Sequence, residues 1–278
     1  MKKLLFNAKI PLLIIIVIVL LAILADALAA LTGNDPYTYH LDLLNSDGVP
    51  LTGPTLQHWF GVEPTTGRDL FAIVTFGART SLIVGLGATI LSIIIGVIVG
   101  LFAGYHGGKL DIFLSQITNL VLLFPALIFM IALSGVVPDW FPRILLLILI
   151  IGCFGWGGIA RVVRNESLRL KNEEFIVAAK VMGVKNRHII FRHILPNLMK
   201  TVLIFTTISV PAMIGSEAAL SFLGVGITAP TPSWGRSIAE AINWIYVDPW
   251  FLIFPAIFLF AITLAFNVLG DKLGAKEL

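Results

Sequence analysis

Six long runs of apolar residues limit what this chain can fold into. A helix needs about 20 residues to cross the roughly 30 Å of bilayer hydrocarbon, where unpaired backbone groups are too costly. With 58% apolar and only 13% charged residues, the chain belongs in a bilayer. We therefore predict an all-α integral membrane protein with six transmembrane helices. The predicted spans are Ile10 to Leu31, Thr80 to Gly104, Ile112 to Ser134, Ile144 to Ala160, Thr201 to Phe222 and Trp250 to Leu269.

Basic residues are distributed unevenly over the predicted loops. With the N-terminus inside, fifteen of the nineteen Lys and Arg residues fall in cytoplasmic segments. The outer segments hold only Arg68, Arg79, Arg143 and Arg236. Cytoplasmic loops of membrane proteins are enriched in Lys and Arg, so this asymmetry indicates orientation rather than nucleic-acid binding. We predict a multi-pass plasma-membrane protein with both termini in the cytoplasm.

The polar segment after the first apolar run divides the chain into three parts. We predict an N-terminal tail and first helix at 1–31, an extracytoplasmic loop at 32–79, and a five-helix core at 80–278 with a cytoplasmic loop at 161–200. The first helix follows three lysines and ends near Ala27-Leu28-Ala29, so a cleaved signal peptide is the alternative to an anchor. Its apolar run exceeds the roughly 7 to 15 residues of a signal core, which favours the anchor.

The cytoplasmic loop between the fourth and fifth predicted spans contains a short amphipathic helix. Asn172 is a suitable N-cap and Gly183 a suitable left-handed stop. Glu173 and Glu174 suit the positive end of the helix dipole. Helical spacing predicts one apolar face, which needs a partner. The members of that face are Phe175, Ala178, Ala179 and Met182.

A second helical segment follows, from Asn186 to Leu195, with Ile190 and Ile194 on one side and Pro196 at its end. Two interpretations of this helical pair are open. The helices lie on the membrane surface among lipid headgroups, or the exposed helix docks in a groove of a soluble subunit and transmits motion to the spans.

Several segments of the chain resemble one family, the permeases of ABC importers for dipeptides, oligopeptides and nickel. The similarity runs from about His58 to Gly270 and is greatest to the second permease of the heterodimer. The alanine-rich helix, Gly183 and Ile194-Leu195-Pro196 resemble the family's coupling motif. The other matching segments are Gly67-Arg68-Asp69, Gly77 to Leu82, Ala103 to Gly108, Ile190 to Asn197, Glu217 to Gly224 and Pro230 to Gly235.

The resemblance implies a subunit that pairs with a homologous permease subunit, two cytoplasmic ATP-binding subunits and an extracytoplasmic solute-binding protein. ATP and magnesium are expected on the partner ATPases, and no cofactor is expected on this chain. The implied activity is import of di- or oligopeptides, or of a related solute such as a nickel chelate, by alternating access across a bacterial plasma membrane. The implied ATPase-coupling residues are Glu173, Glu174, Phe175, Val177, Ala178, Ala179, Met182, Gly183 and Val184.

One position departs from the family pattern. Val177 stands where a glutamate usually opens the Glu-Ala-Ala triplet of the coupling helix. The docking contact of that carboxylate is therefore in doubt, and Glu173 or Glu174 is the candidate substitute. The long first outer loop is open to two interpretations, a contact for the solute-delivering protein or an ordinary surface loop.

Two features of the spans suggest packing or gating. Gly96, Gly100 and Gly104 form a ridge of small residues that lets another helix approach closely. Glu217 lies about 16 residues into the fifth span, roughly 24 Å along a helix and near the outer interface. It is interpreted either as a solvated acid among headgroups or as an outer-gate residue paired with Arg79.

Outside the membrane, Pro230, Pro232 and Trp234 predict a rigid re-entry loop whose indole suits the interface.

The sequence contains no P-loop, no His-Glu-x-x-His pair and no Gly-x-Ser-x-Gly elbow. Cys153 is a single cysteine and the histidines are scattered, so we predict neither an enzyme nor a metal site. The first rival is an ATP-independent secondary transporter or channel, although no inverted repeat is evident. An intramembrane hydrolase is the second, although no histidine falls within a predicted span.

Overall fold

The computed structural model describes residues 2–138 and 140–275, with side chains from Lys9 onward. Its regular elements are helices, which confirms the predicted fold class. Lys276, one of the basic residues counted above, lies outside the described residues. The α-helices in chain order are α1 (Lys2–Ile23), α2 (Ala25–Thr32), α3 (Leu70–His106), α4 (Gly108–Leu123), α5 (Ala126–Val136), α6 (Arg143–Lys171), α7 (Glu174–Val181), α8 (Asn186–His188), α9 (Leu195–Phe222), α10 (Trp234–Ala241) and α11 (Trp250–Gly274).

Four helical stretches of the described chain are long and apolar enough to cross a membrane, or up to six if each of two bent pairs is one span. The four are α3, α6, α11 and the continuous stretch Asn186–Phe222. The bent pairs are α1 with α2, at 65°, and α4 with α5, at 79°. The six predicted apolar runs fall on these elements, but the first and third are broken rather than straight.

Each break has a local physical cause or support. Pro125 disfavours a helical conformation at Phe124, which is extended (φ −71°, ψ 136°), and α4 therefore ends there. At the α1–α2 bend, Arg79 donates to the carbonyls of Ala22 (2.9 Å) and Ile23 (3.3 Å). The guanidinium thus satisfies backbone oxygens close to the bend.

Several helices extend beyond the predicted spans, and three of these extensions are long. α3 begins ten residues early at Leu70, where the Asp69 carboxylate accepts a bond from the Ala72 N–H at 2.8 Å and caps the helix. α6 continues through Lys171 into the predicted cytoplasmic loop. α9 is joined to α8 by a π-helical turn, Ile189–Ile194. Hydropathy detects only apolar sequence, so the polar extensions of α6 and α9 were missed, whereas the extension of α3 is apolar and was placed in the predicted outer loop.

The glycine ridge on α3 packs against α6, as predicted. A Cβ on Gly96 would lie 2.8 Å from the Ile159 Cβ, and one on Gly100 would lie 2.9 Å from the Arg164 backbone N. A Cβ on Gly104 would lie 2.6 Å from the Ser167 Cβ. These separations leave no room for a side chain. The glycine ridge therefore sets how closely α3 and α6 approach each other.

The first outer loop is folded around a buried ion pair between Arg68 and Glu63, joined at 2.6 Å with both side chains 4% exposed. Arg68 also donates to the carbonyls of Pro36 (3.3 Å) and Pro230 (3.1 Å). The loop is thereby tied to the segment that precedes α10. Charged groups this deeply buried need such partners, so the loop is an ordered cap on the bundle.

Trp234 differs from its prediction. Its indole is fully buried rather than placed at the interface, and its Nε1 donates to the Val74 carbonyl at 3.0 Å. The short helix α10 that it begins packs against α9, α11 and α3. Burial follows from this docking, which the interfacial preference of tryptophan does not reveal.

Candidate functional site

The helix α7 forms a short projection between α6 and α8 and ends in a Schellman motif. The Val184 N–H donates to the Ala179 carbonyl and the Gly183 N–H to the Lys180 carbonyl, both at 3.0 Å. Gly183 has φ +78°, a left-handed conformation that favours glycine. The predicted stop at Gly183 is confirmed.

The predicted N-cap is wrong. Asn172 is the C-cap of α6, and its Nδ2 donates to the Leu168 carbonyl at 3.1 Å. Glu173 takes the N-cap position of α7 without a side-chain capping bond. The longer α6 occupies Asn172, which leaves only two residues between the helices.

The apolar residues of α7 divide between two faces rather than forming one. Ile176 and Ala179 are buried against the bundle, where they join a cluster with Ile189, Ile190 and Ile194. The prediction that Ile190 and Ile194 share one side therefore holds, whereas Pro196 does not end the helix. The opposite face of α7 is solvent-facing and apolar, and consists of Phe175, Val177, Ala178, Val181 (83% exposed) and Met182 (75% exposed).

We call these five exposed residues the outer face of α7. Side chains three and four positions apart share one side of a helix, so Phe175, Ala178 and Met182 stand in one row. Ala179 was predicted to stand with them but points the other way. A soluble surface would not keep this many apolar groups exposed without a partner, which indicates a contact site.

Acidic side chains beside α7 differ in their availability. Glu173 accepts from Arg169 at 2.8 Å, and Arg169 also pairs with Glu166 at 2.6 Å. Glu174 is exposed and makes no hydrogen bond or ion pair with any other described residue. Of the two candidate substitutes for the missing carboxylate at Val177, Glu174 is thus the more available.

Tyr105 connects this projection to the core helix α3. Its buried hydroxyl donates to the Asn186 Oδ1 at 2.8 Å, just after α7. The ammonium groups of Lys180 and Lys171 lie 5.5 Å and 6.0 Å from the centre of its ring. Burial, and secondarily the charge of Lys171, lowers the pKa of Lys180 below its ordinary value.

Tyr105 thus contacts the end of α6, the last turn of α7 and the start of α8 from a single position. Tyr105 lies in the segment Ala103 to Gly108, for which no individual role was predicted. A buried tyrosine needs a partner for its hydroxyl, but its burial and its partner Asn186 become evident only in the folded chain.

The pair predicted for the outer gate is not formed. Arg79 pairs with Asp26 at 2.8 Å instead. Glu217 is fully buried and accepts hydrogen bonds from the hydroxyls of Ser81 and Ser221, each at 2.8 Å. The interpretation of Glu217 as a solvated acid is wrong, because α3 and the start of α10 pack over its position. A gating role for Arg79 or Glu217 stays a prediction.

The two serines extend this network to the backbone. Ser221 Oγ accepts from the Ile227 N–H at 3.0 Å, and Ser81 Oγ accepts from the Trp234 N–H at 3.4 Å. Glu217 therefore joins α3, α9 and the start of α10 near the outer end of the bundle. No group of three or more His, Cys, Asp or Glu side chains within residues 2–138 and 140–275 is arranged to hold a metal ion.

Comparisons with known proteins agree with the fold. Residues 96–276 match the family described as "Binding-protein-dependent transport system inner membrane component". The oligopeptide transport system permease protein OppC of Bacillus subtilis (strain 168) is 37% identical over 267 residues, 96% of this chain and 83% of the relative. The dipeptide transport system permease protein DppC of Alkalihalophilus pseudofirmus is 39% identical over 223 residues, 80% of this chain and 72% of the relative.

A third relative is the glutathione transport system permease protein GsiD of Escherichia coli O6:K15:H31, 36% identical over 261 residues, 94% of this chain and 82% of the relative. A solved chain from the inward-facing MetNI methionine ABC transporter has a TM-score of 0.58 at 20% identity, and the match covers 73% of this chain and 95% of that chain. At this level of identity, the structural likeness supports the fold.

Proposed function

Because this chain belongs to the family of binding-protein-dependent transport system inner membrane components, we propose that it supplies half of the solute path and that α7 receives the motion of a partner ATPase. The chain is a multi-pass permease subunit of an ABC importer.

The observation that carries the coupling proposal is the outer face of α7. This helix is held on the bundle by Ile176 and Ala179 while its opposite side exposes five apolar residues. An amphipathic helix that inserts into a groove is a common mode of protein recognition. A groove on a cytoplasmic ATPase is the partner surface that fits, with Glu174 at the free N-terminal end.

The remaining partners follow from membership of this family. A homologous permease subunit forms the other half of the path, and an extracytoplasmic solute-binding protein delivers the cargo. Two ATP-binding subunits hold ATP and magnesium, so no cofactor is required on this chain. Both termini and α7 then lie in the cytoplasm of a bacterial cell, in agreement with the concentration of basic residues in those segments.

We further propose that the cargo is a peptide. The relatives are named for oligopeptide, dipeptide and glutathione transport, and each covers most of this chain. A nickel chelate is the second candidate. Identifying the solutes bound by the cognate external protein tests this proposal, and recovery of a nickel chelate without any peptide would contradict it.

Crosslinking from Ala178 tests the coupling proposal. We expect Ala178→Cys, in a Cys153→Ser background, to form an adduct with the partner ATPase in membranes, and the yield to change when nucleotide binds. Ala179→Cys is the matched control. It is the next residue of the same helix and the same residue type, but its side chain is buried whereas that of Ala178 is exposed. Equal yields from the two positions, or no adduct from any residue of the outer face, would count against docking through α7.

Reconstituted vesicles distinguish the secondary-transporter alternative. Vesicles that contain this chain without ATPase subunits should show no accumulation of solute. Accumulation driven by an ion gradient alone would favour the alternative and remove the need for a docking helix.

Replacing Tyr105 with phenylalanine tests how α7 is held. The ring stays, so its packing and its contacts with Lys171 and Lys180 are kept, but Asn186 loses its donor. We expect stability to fall by about 0.5–1.5 kcal/mol. We also expect less solute to be transported per ATP hydrolysed, because the projection is less firmly joined to α3.

Tyr246→Phe is the matched control, since that side chain is 99% exposed. Assays of transport and of ATP hydrolysis on reconstituted complexes give the ratio directly. A loss of stability with an unchanged ratio would leave Tyr105 a purely structural residue.

A further inference from the structure

Residues 51–61 of the outer loop form an uncharged segment that we call the outer wedge. Its sequence, Leu-Thr-Gly-Pro-Thr-Leu-Gln-His-Trp-Phe-Gly, contains no Asp, Glu, Lys or Arg. Large apolar side chains on it are exposed: Leu51 at 61%, Leu56 at 96% and Trp59 at 51%. Apolar exposure of this extent, concentrated in eleven residues, indicates that these side chains contact a partner or the membrane.

The outer wedge lies against the first turns of the transmembrane helix α11. The Phe60 ring stacks on Phe254 with centroids 3.9 Å apart and lies 6.2 Å from Phe258. A Cβ on Gly53 would be 3.2 Å from the indole nitrogen of Trp250. Phe254 and Phe258 follow Trp250 by one and two turns, roughly 6 and 12 Å along the helix. The wedge therefore descends beside the apolar part of α11 and does not stand clear of the bundle.

The surface of α11 next to the wedge is apolar. Trp250 is partly exposed at the start of α11, and the exposed side chains of the next four turns are apolar: Ile253, Ile257, Phe260 and Leu264. Tryptophan rings at the end of a span are typical of the membrane–water interface. Leu56 and Trp59 continue this apolar surface outward from the rim of the span.

Internal bonds hold the wedge in place. The His58 Nδ1 lies 2.8 Å from the carboxylate of Asp69, the N-cap of α3. The Trp59 indole donates to the Leu56 carbonyl at 3.2 Å, and the Leu70 N–H donates to the Gly61 carbonyl at 3.0 Å. These bonds fix the wedge to the start of α3, and the Phe60–Phe254 stack holds it against α11, so its exposed side chains keep one direction.

From this geometry we propose that the outer wedge inserts into the membrane–water interface and binds lipid of the outer leaflet. The polar backbone of a non-helical segment needs water or headgroups, so it sits at the interface and not in the hydrocarbon. Leu56 and Trp59 reach the boundary between headgroups and acyl chains, where an uncharged, aromatic-rich surface is favourable. The first outer loop is then a membrane contact at this segment and not only a cap over the bundle.

Fluorescence quenching by brominated lipid tests this proposal on the complete chain in lipid vesicles. An environment-sensitive label is placed at Leu56→Cys in a Cys153→Ser background, with Asp47→Cys as the aqueous control and Phe260→Cys as the lipid-facing control. Asp47 is an exposed, charged residue of a turn in the same loop. We expect quenching at Leu56 by shallow bromines to be several-fold greater than at Asp47, and Phe260 to respond more to deep bromines.

A second label at Leu51→Cys shows whether quenching at Leu56 reflects the position of the wedge or only a local effect of that substitution. Quenching at Leu56 and Leu51 no greater than at Asp47 would overturn the proposal. A second outcome would also overturn it: labels that brominated lipid does not quench, but that become shielded from water when the cognate solute-binding protein is added. The wedge would then be a protein-docking surface. None of these outcomes depends on which solute the importer carries.

Discussion

Replacing Gly100 with alanine is expected to destabilise the protein by about 3 kcal/mol, near the upper end of the range for overpacked interiors. The added Cβ would meet the Val163 Cβ at 2.8 Å and the Arg164 backbone N at 2.9 Å, and it would also contact the Ala160 carbonyl oxygen. Two of these three atoms belong to the backbone of α6 and cannot rotate away. The helices must therefore separate along much of their shared length. Unfolding of the purified protein in mixed micelles of increasing dodecyl sulfate measures the change.

Gly158→Ala is the matched control because it lies on α6 with no neighbouring heavy atom within 4 Å of its added Cβ. Helix propensity alone favours alanine there by up to about 1 kcal/mol. If both variants changed stability by the same amount, close approach at the ridge would not be the cause.

Removing the Glu217 carboxylate is expected to have the second large effect. Glu217→Ala leaves the hydroxyls of Ser81 and Ser221 without their acceptor in a fully buried site. At about 1–3 kcal/mol for each of the two unsatisfied groups, the loss is roughly 2–6 kcal/mol. We expect solute transport to be lost as well, because the start of α10 is held through the same serines. Glu217→Gln keeps an acceptor oxygen and should lose less.

A double-mutant cycle separates this network from the pairing predicted from the sequence. Arg79 and Glu217 share no partner in the structure, so reversing both charges should give no rescue, and the cycle should close to within about 0.5 kcal/mol. Ser81→Ala combined with Glu217→Ala should instead be strongly non-additive. Rescue by the double reversal would show that the two residues meet in another state of the transport cycle.

Hydropathy predicted where the spans lie because each apolar run must be covered by lipid or protein. It did not predict where helices end, since α6 continues into polar sequence through Lys171 and thereby occupies Asn172. The stop at Gly183 was predictable because a left-handed residue has few alternatives to glycine. The break at Phe124 was also encoded locally, by Pro125, but an uninterrupted apolar run concealed it.

The residues of the candidate site were likewise only partly predictable from the sequence. Spacing along one helix identified α7 but not which of its apolar residues face the bundle, because Ile176 and Ala179 are buried by contacts with α6 and the π-helical turn Ile189–Ile194. Glu217 and Trp234 were placed at a surface on the basis of their individual preferences. Each is buried by segments distant in sequence: α3 and α10 pack over Glu217, and α3 and α11 pack against Trp234. Tyr105 was missed for a related reason, since its partner Asn186 is 81 residues away.

The π-helical turn at Ile189–Ile194 has a mechanical consequence. It keeps the helix unbroken past Pro196, so Asn186–Phe222 is one rod of 37 residues, roughly 55 Å long at 1.5 Å per residue. Tyr105 touches one end of this rod and Ser81 meets Glu217 near the other. A rod of that length tilting about its middle swings its two ends in opposite directions. Displacement of α7 by a partner would thus move the far end of this helix, near Glu217, in the opposite direction, as in a lever.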